Sequence, residues 1–320
     1  MSNNLVRLAG ALAAVIALSA SAQDYPTKPV RMIVPYPTGG GTDVFGRLVA
    51  TGLAEALGKN VIVDNRPARD GIVGAEVVSR AAPDAHTLLF ISPSHVVNEA
   101  LGRKLPYHPI RDFAPITQTG IQHLVLVAHP SLPAKTVREL IDYLKAHPGK
   151  VNYASGSSAT ALAMELFKHM TGTDARHIPY KGGGALMSDL LGGHVEVTIA
   201  GALAAVIHVK AGKLRALGMG GPKRSASLPD VPTIAEAGVP GYEATNWTGM
   251  FAPKGTPRSI IERLNREVVR IVQTPSFRER VAGLGGEAVG STPGEWEKFL
   301  WIEVRKWAEI AKAAGFKSDD

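Results

Sequence analysis

The stretch Val30-Arg31-Met32-Ile33-Val34-Pro35-Tyr36-Pro37-Thr38-Gly39-Gly40-Gly41-Thr42-Asp43 reads as a buried strand that runs into a glycine loop and then a helix. Successive glycines let the backbone turn with positive φ and approach a ligand closely. The N–H groups that open the following helix favour negative charge. The stretch is therefore a candidate anion cradle, with the amides of Gly39, Gly40 and Gly41 and the hydroxyls of Thr38 and Thr42 as donors.

Downstream, Phe45, Leu48, Val49, Leu53 and Leu57 recur at helical spacing, and Gly58 ends the run as a C-cap glycine does. Residues 61–63 and 87–91 read as further strands, 75–82 as a short helix stopped by Pro83, and Ser92-Pro93-Ser94-His95 as a polar turn. The opening design recurs where strand 151–154 meets Ser155-Gly156-Ser157-Ser158, and again where His177 to Tyr180 meets Lys181-Gly182-Gly183-Gly184. Short β-rich runs alternating with amphipathic helices are the pattern of α/β layers. The strand-like runs 114–119 and 124–128, with Gly120 to His123 between them, read as a crossing between two lobes, and 248–252 as the return. Helices at 136–146 and 292–314 open with Thr-x-x-Glu boxes, and the second aligns Trp296, Leu300, Val304, Trp307 and Ala311 on one core-facing stripe. The expected division is a signal peptide at 1–22, the first part of lobe I at 23–121, lobe II at 122–248 and the rest of lobe I at 249–320.

The signal peptide is read from Arg7, the apolar run 8–18 and the small-residue site Ala20-Ser21-Ala22, which gives cleavage after Ala22. That run is shorter than the roughly 20 residues a bilayer span needs. The chain has no cysteine, which excludes disulfides and a lipid-modified Cys, and the expected location is a bacterial periplasm. The formal charge of +7 is spread along the chain, which argues against a nucleic-acid partner and suits mild steering of small anions.

A helix dipole contributes only about 0.3 to 1 kcal/mol, whereas micromolar affinity needs about 8 kcal/mol. Charge-assisted hydrogen bonds contribute roughly 1.5 to 3 kcal/mol each, so four or five converging donors suffice after ordering costs. The Ser155, Ser157 and Ser158 hydroxyls are expected to add to those of the first loop. One such loop taken alone is as well explained by an ordinary strand-to-helix turn; their repetition favours binding. No nucleotide signature fits, since the first loop lacks a Lys-Ser/Thr ending and its glycines do not make G-x-G-x-x-G. Asp43, in the first helical turn, caps the helix or faces the site. His95 is a surface group or a donor to a carboxylate, and Tyr36 and Tyr180 pack beside a ligand or close over it. There is no Cys nucleophile, no G-x-S-x-G elbow, and no metal-ligand spacing among the ten histidines. Neither enzyme activity, nor a metal, nor a cofactor is expected.

Pro35 to Asp43, Asp64-Asn65-Arg66-Pro67, Ala82-Pro83-Asp84-Ala85-His86-Thr87-Leu88-Leu89, Leu105-Pro106-Tyr107, Asp112-Phe113-Ala114-Pro115, Asn152-Tyr153-Ala154-Ser155, Pro179-Tyr180-Lys181-Gly182 and Asp189-Leu190-Leu191-Gly192-Gly193 together resemble the Bug family of periplasmic receptors. The resemblance implies a two-lobed periplasmic binding protein of type II, a Venus flytrap with a ligand cleft between its lobes. It implies capture of a small organic carboxylate, an aromatic acid or an amino acid for a tripartite tricarboxylate transporter, by a monomer that meets membrane permease subunits. One carboxylate would lie between the first glycine loop and the loop Ser155 to Ser158, partly through water. The expected binding set adds Gly156, Lys181 and Gly182 to the loop residues, His95 and the two tyrosines named above. Two departures stand out: Ala68-Arg69-Asp70 replaces a small glycine-rich run, and Ala200 stands where many relatives carry Asp, which disfavours amino-acid ligands. A sensory receptor using the same cleft and a periplasmic hydrolase are the alternatives.

Overall fold

The computed structural model describes residues 25–283 and 285–315. The signal peptide and cleavage site lie outside the described residues. In chain order the first part comprises β1 (Val30–Val34), α1 (Gly41–Leu57), β2 (Val61–Asn65), a single turn at Arg69–Gly71, α2 (Ile72–Ser79), β3 (Thr87–Ile91) and α3 (Ser94–Ala100). Then come β4 (Phe113–Ala128), α4 (Val137–Ala146), β5 (Asn152–Ser155), α5 (Ser158–Thr171), β6 (Arg176–Pro179), α6 (Gly183–Leu191), β7 (Val197–Gly201), α7 (Ala202–Lys210) and β8 (Arg215–Met219). The chain closes with β9 (Thr245–Pro253), α8 (Arg258–Val272), α9 (Pro275–Gly283), β10 (Gly286–Ala288) and α10 (Pro293–Ala313).

The strands make one curled sheet in the order β2-β1-β3-β9-β4-β7-β5-β6, with β8 and β10 also on β4. β1 is parallel to β2 and β3, and β5 is parallel to β6 and β7. β4 is shared between two halves. From Phe113 to His123 it pairs with β9, and from Leu124 to Ala128 with β7 and β8. The two runs separated at 120–123 in the sequence are thus one strand of 16 residues. Gly120, Ile121 and Gln122 carry no strong strand signal, but β10 covers them from the side opposite β9.

Local sequence accounts for most helices. Phe45, Val49 and Leu53 of α1 are fully buried against Met32, Val34 and Phe90, and Gly58 ends the helix at φ 63°. Thr292 and Glu295 form the reciprocal capping box that opens α10. At α4 only half of the box exists, because Glu139 turns to the Lys135 amide. The segment read as a polar turn is in fact the start of α3, whose Val96 and Val97 are fully buried. Helix α7, also unexpected, is apolar from Ala202 to Ile207 and carries polar residues only in its last turn, at His208 and Lys210.

Trp296 and Leu300 of α10 belong to a core with Trp247 and Phe251. Two turns later, Trp307 and Ala311 belong to the core of the second half with Leu162 and Phe167. The core reading of the tryptophans holds, and one helix reaches both cores.

Candidate functional site

A cleft of about 770 Å3 lies between the two halves. Pro35 to Pro37 after β1, the turn around Asp70 and Gly71, and Leu101 and Arg103 beyond α3 make one wall. Ser155 to Ser158 between β5 and α5, and His177 with Pro179 to Gly182 at the end of β6, make the other. Both walls come from the carboxyl ends of parallel strands, the usual ligand-binding edge of an open α/β sheet.

Eight of the expected residues line this cleft: Tyr36, Ser155, Gly156, Ser157, Ser158, Tyr180, Lys181 and Gly182. Thr38, Gly39 and Gly40 are exposed beyond Pro37, while Gly41, Thr42 and Asp43 form the first turn of α1, and none of the six lines it. Asp43 turns back on its own loop. Its carboxylate accepts from the Gly39 amide at 2.8 Å, Arg47 Nε at 3.0 Å and Asn65 Nδ2 at 2.9 Å. Burial alone would raise this carboxyl, but the bonds from Arg47, Gly39 and Asn65 outweigh it and hold Asp43 below the usual carboxylate range. His95 is neither at the surface nor in the cleft. It is 3% exposed, packed against Tyr107, Phe113 and Phe251, and donates Nε2–H to the Pro109 carbonyl at 2.8 Å.

The tyrosines are held by protein groups. Tyr36 donates its hydroxyl to the Ser92 carbonyl at 3.4 Å and accepts the Ser92 amide at 3.2 Å, and burial pushes its phenol up. Tyr180 donates to Asp189 at 2.7 Å; desolvation and that carboxylate push its phenol up to about 12.

On the second wall, Ser157 caps α5 through a box with Thr160, and Thr160 Oγ1 accepts the amides of Gly156 and Ser157, each at 3.2 Å. Ser155 Oγ lies 2.7 Å from His177 Nε2, whose ring stacks on Tyr153. The α5 and α6 loops are pressed together, since a Cβ on Gly156 would stand 3.1 Å from the backbone of Gly182 and Gly183. A Cβ on Gly182, whose φ is 129°, would stand 3.3 Å from the Pro37 ring of the facing wall. The Ser158 hydroxyl stands apart: its oxygen is buried and has no partner among the described residues.

Three groups at the site escaped the sequence reading. Asp70 lies in the noted Ala68-Arg69-Asp70 departure, and its Oδ2 accepts the Ser158 amide at 3.0 Å. Arg103 and His177 carry no motif, and only packing brings them to the cleft. Ala200 is buried on β7 and does not line the cleft.

A model of the Tripartite tricarboxylate transporter family receptor matches residues 45–316. The chain belongs to this family. The receptor is 39% identical to Protein BugT of Bordetella pertussis over 306 residues, 94% of each chain. It superposes with TM-score 0.87 and 35% identity on an R. palustris protein solved with adipate, covering 91% of this chain and 98% of that one. For MatC of Rhodopseudomonas palustris with bound malate the TM-score is 0.83 at 30% identity, covering 89% and 99%. The receptor thus has the two-lobed fold of the periplasmic binding proteins.

Proposed function

We propose that the protein captures a small organic carboxylate in the cleft and presents the closed, loaded form to the permease subunits of a tripartite tricarboxylate transporter. The observation that carries this reading is the convergence of Ser158 Oγ, the first turn of α5, Arg103 and Lys181 on one cavity between halves that share β4. Ser158 and the α5 N-terminus take the ligand's carboxylate, and Arg103 and Lys181 supply the positive charge around it. Adipate and malate in the structures of relatives support this ligand class.

Lobe I comprises residues 23–121 and 249–320 and lobe II residues 122–248, and the mature chain starts at Gln23 in the periplasm. A ligand that touches both lobes only when they meet shifts the population toward closure.

The pairing of Ser155 with His177 is one that a serine nucleophile also needs. Ser155 is 3% exposed and its partner ring is stacked on Tyr153, so we read the pair as a fixed hydrogen-bonding wall. Ligand-stripped protein titrated calorimetrically with adipate, malate, aromatic acids and amino acids tests the proposal. A saturating carboxylate at 100 times its Kd should stabilise the fold by about 2.7 kcal/mol and be recovered unchanged. Hydrolysis of an ester of one of these acids, lost in Ser155→Ala, would replace the receptor reading with a hydrolase. Stabilisation by no member of the panel would remove the carboxylate assignment.

A further inference from the structure

Asp70 holds a backbone conformation that L residues seldom adopt, with φ 55° and ψ 38°. The strained turn brings its side chain to the opposite wall of the cleft, where Oδ2 accepts the Ser158 amide at 3.0 Å. Asn98 within α3 and Arg103 just beyond it keep it there. Asn98, fully buried, donates Nδ2–H to the Asp70 carbonyl at 3.2 Å and accepts from Arg103 at 2.7 Å. The same Arg103 lies 3.5 Å from Asp70 Oδ2. A carboxylate of the protein therefore already sits on the first residue of α5. A second group marks this position as a ligand site: Ser158 is 92% buried (8% exposed), lines the cleft, and its hydroxyl has no hydrogen-bond partner among the described residues. Asp70 satisfies the amide of Ser158 and leaves the hydroxyl unmet.

We propose that Asp70 is a tethered carboxylate that occupies the α5 position from the facing wall and must be displaced by the carboxylate of the incoming ligand. The inference rests on the reading of the protein as a carboxylate receptor. A free carboxylate can accept from both the amide and the hydroxyl of Ser158, whereas Asp70, fixed at its backbone, accepts only from the amide. That difference drives the exchange, and Arg103 keeps a partner for whichever carboxylate is beside it. Asp70 thus lowers affinity and sets selectivity, because only a ligand that also uses the hydroxyl outcompetes the tether. Until displaced, it bridges the two walls.

Two measurements test this. Asn and Gly both tolerate the left-handed conformation, so Asp70→Asn and Asp70→Gly should fold. Each should bind adipate or malate about tenfold more tightly than the wild type, the factor expected when one competing charge-assisted bond is removed. Titration in about 0.5 M salt, where the Debye length falls to roughly 4 Å, separates this from a general gain of positive charge. Unchanged or weaker binding by Asp70→Asn would overturn the proposal. The second measurement needs no ligand. The chain lacks cysteine, so spin labels at Val73→Cys and Ala185→Cys report the separation of the walls. Ligand-free Asp70→Gly should give a longer and broader distance distribution than the wild type, and identical distributions would show that Asp70 bridges nothing. If neither wild type nor variants bind any carboxylate, the receptor reading fails in the titration while the distances still decide the bridge.

Discussion

Trp247 on β9 donates its indole N–H to Glu303 Oε2 on α10 at 2.9 Å, and Trp307, one turn further along α10, donates to the same oxygen at the same distance. Glu303 is 5% exposed, and Lys306 lies 3.3 Å from its other oxygen. This carboxylate fastens the strand that returns from the second half to the helix that reaches both cores.

Removing it should be costly. Glu303→Ala leaves two buried indole donors unmet, each worth about 1 to 3 kcal/mol, so a loss of about 2 to 6 kcal/mol is expected in denaturant unfolding. Glu303→Gln keeps an acceptor and should lose less than half of that. Equal losses in the two variants would show that packing, not hydrogen bonding, makes the contribution.

His95 predicts how stability responds to acid. Burial pushes its imidazole from 6.5 down to about 4, opposed by its bond to Pro109 and reinforced by His108. The unfolded chain therefore binds a proton that the folded chain refuses, so its effect is absent above pH 6.5 and stability falls as pH drops toward 4. The loss over that window should be on the order of 3 kcal/mol. His95→Gln should flatten the pH profile of the melting temperature between 6.5 and 4. A slope as steep as that of the wild type would assign the acid sensitivity to other groups.

Ser158→Ala should separate stability from binding. Its hydroxyl is buried without a partner among the described residues, so its removal should leave the melting temperature unchanged or slightly higher. Carboxylate affinity should nonetheless drop by about tenfold, the loss of one hydrogen bond to a charged group. Equal affinities by calorimetry would take Ser158 out of the site.

Gly156→Val tests the packing of the α5 and α6 loops. Its Cβ would meet backbone atoms of Gly182 and Gly183 at 3.1 Å, too close without movement of the lip of the cleft. An affinity loss of more than about tenfold with a stability loss below about 2 kcal/mol is expected. A normal Kd would show that this lip plays no part in binding.

Asp43→Ala should behave differently. The carboxylate secures Gly39, Arg47 and Asn65 but does not line the cleft. A stability loss of about 1 to 3 kcal/mol, faster amide exchange at Gly39 and an affinity within about threefold of wild type are expected. A larger loss of affinity would give the first glycine loop a direct role.

The α/β layering, the strand, loop and helix running from Val30 to Leu57, the serine loop before α5 and the tryptophan stripe of α10 were legible in the sequence, because apolar period, capping chemistry and glycine placement act within a few residues. The unity of β4 was not, since Gly120 to Gln122 become strand only through pairing with β9 and β10. Tertiary packing also decided which loop faces the cleft. At Gly41 a Cβ would stand 2.7 Å from the Gln122 side chain, so the start of α1 abuts β4, and Asp43 takes the Gly39 amide. In their place packing brings Asp70, Arg103 and His177 to the cavity from three separate stretches. Local patterns select elements; the direction a loop presents to a ligand depends on contacts hundreds of atoms away along the chain, which only the folded molecule makes.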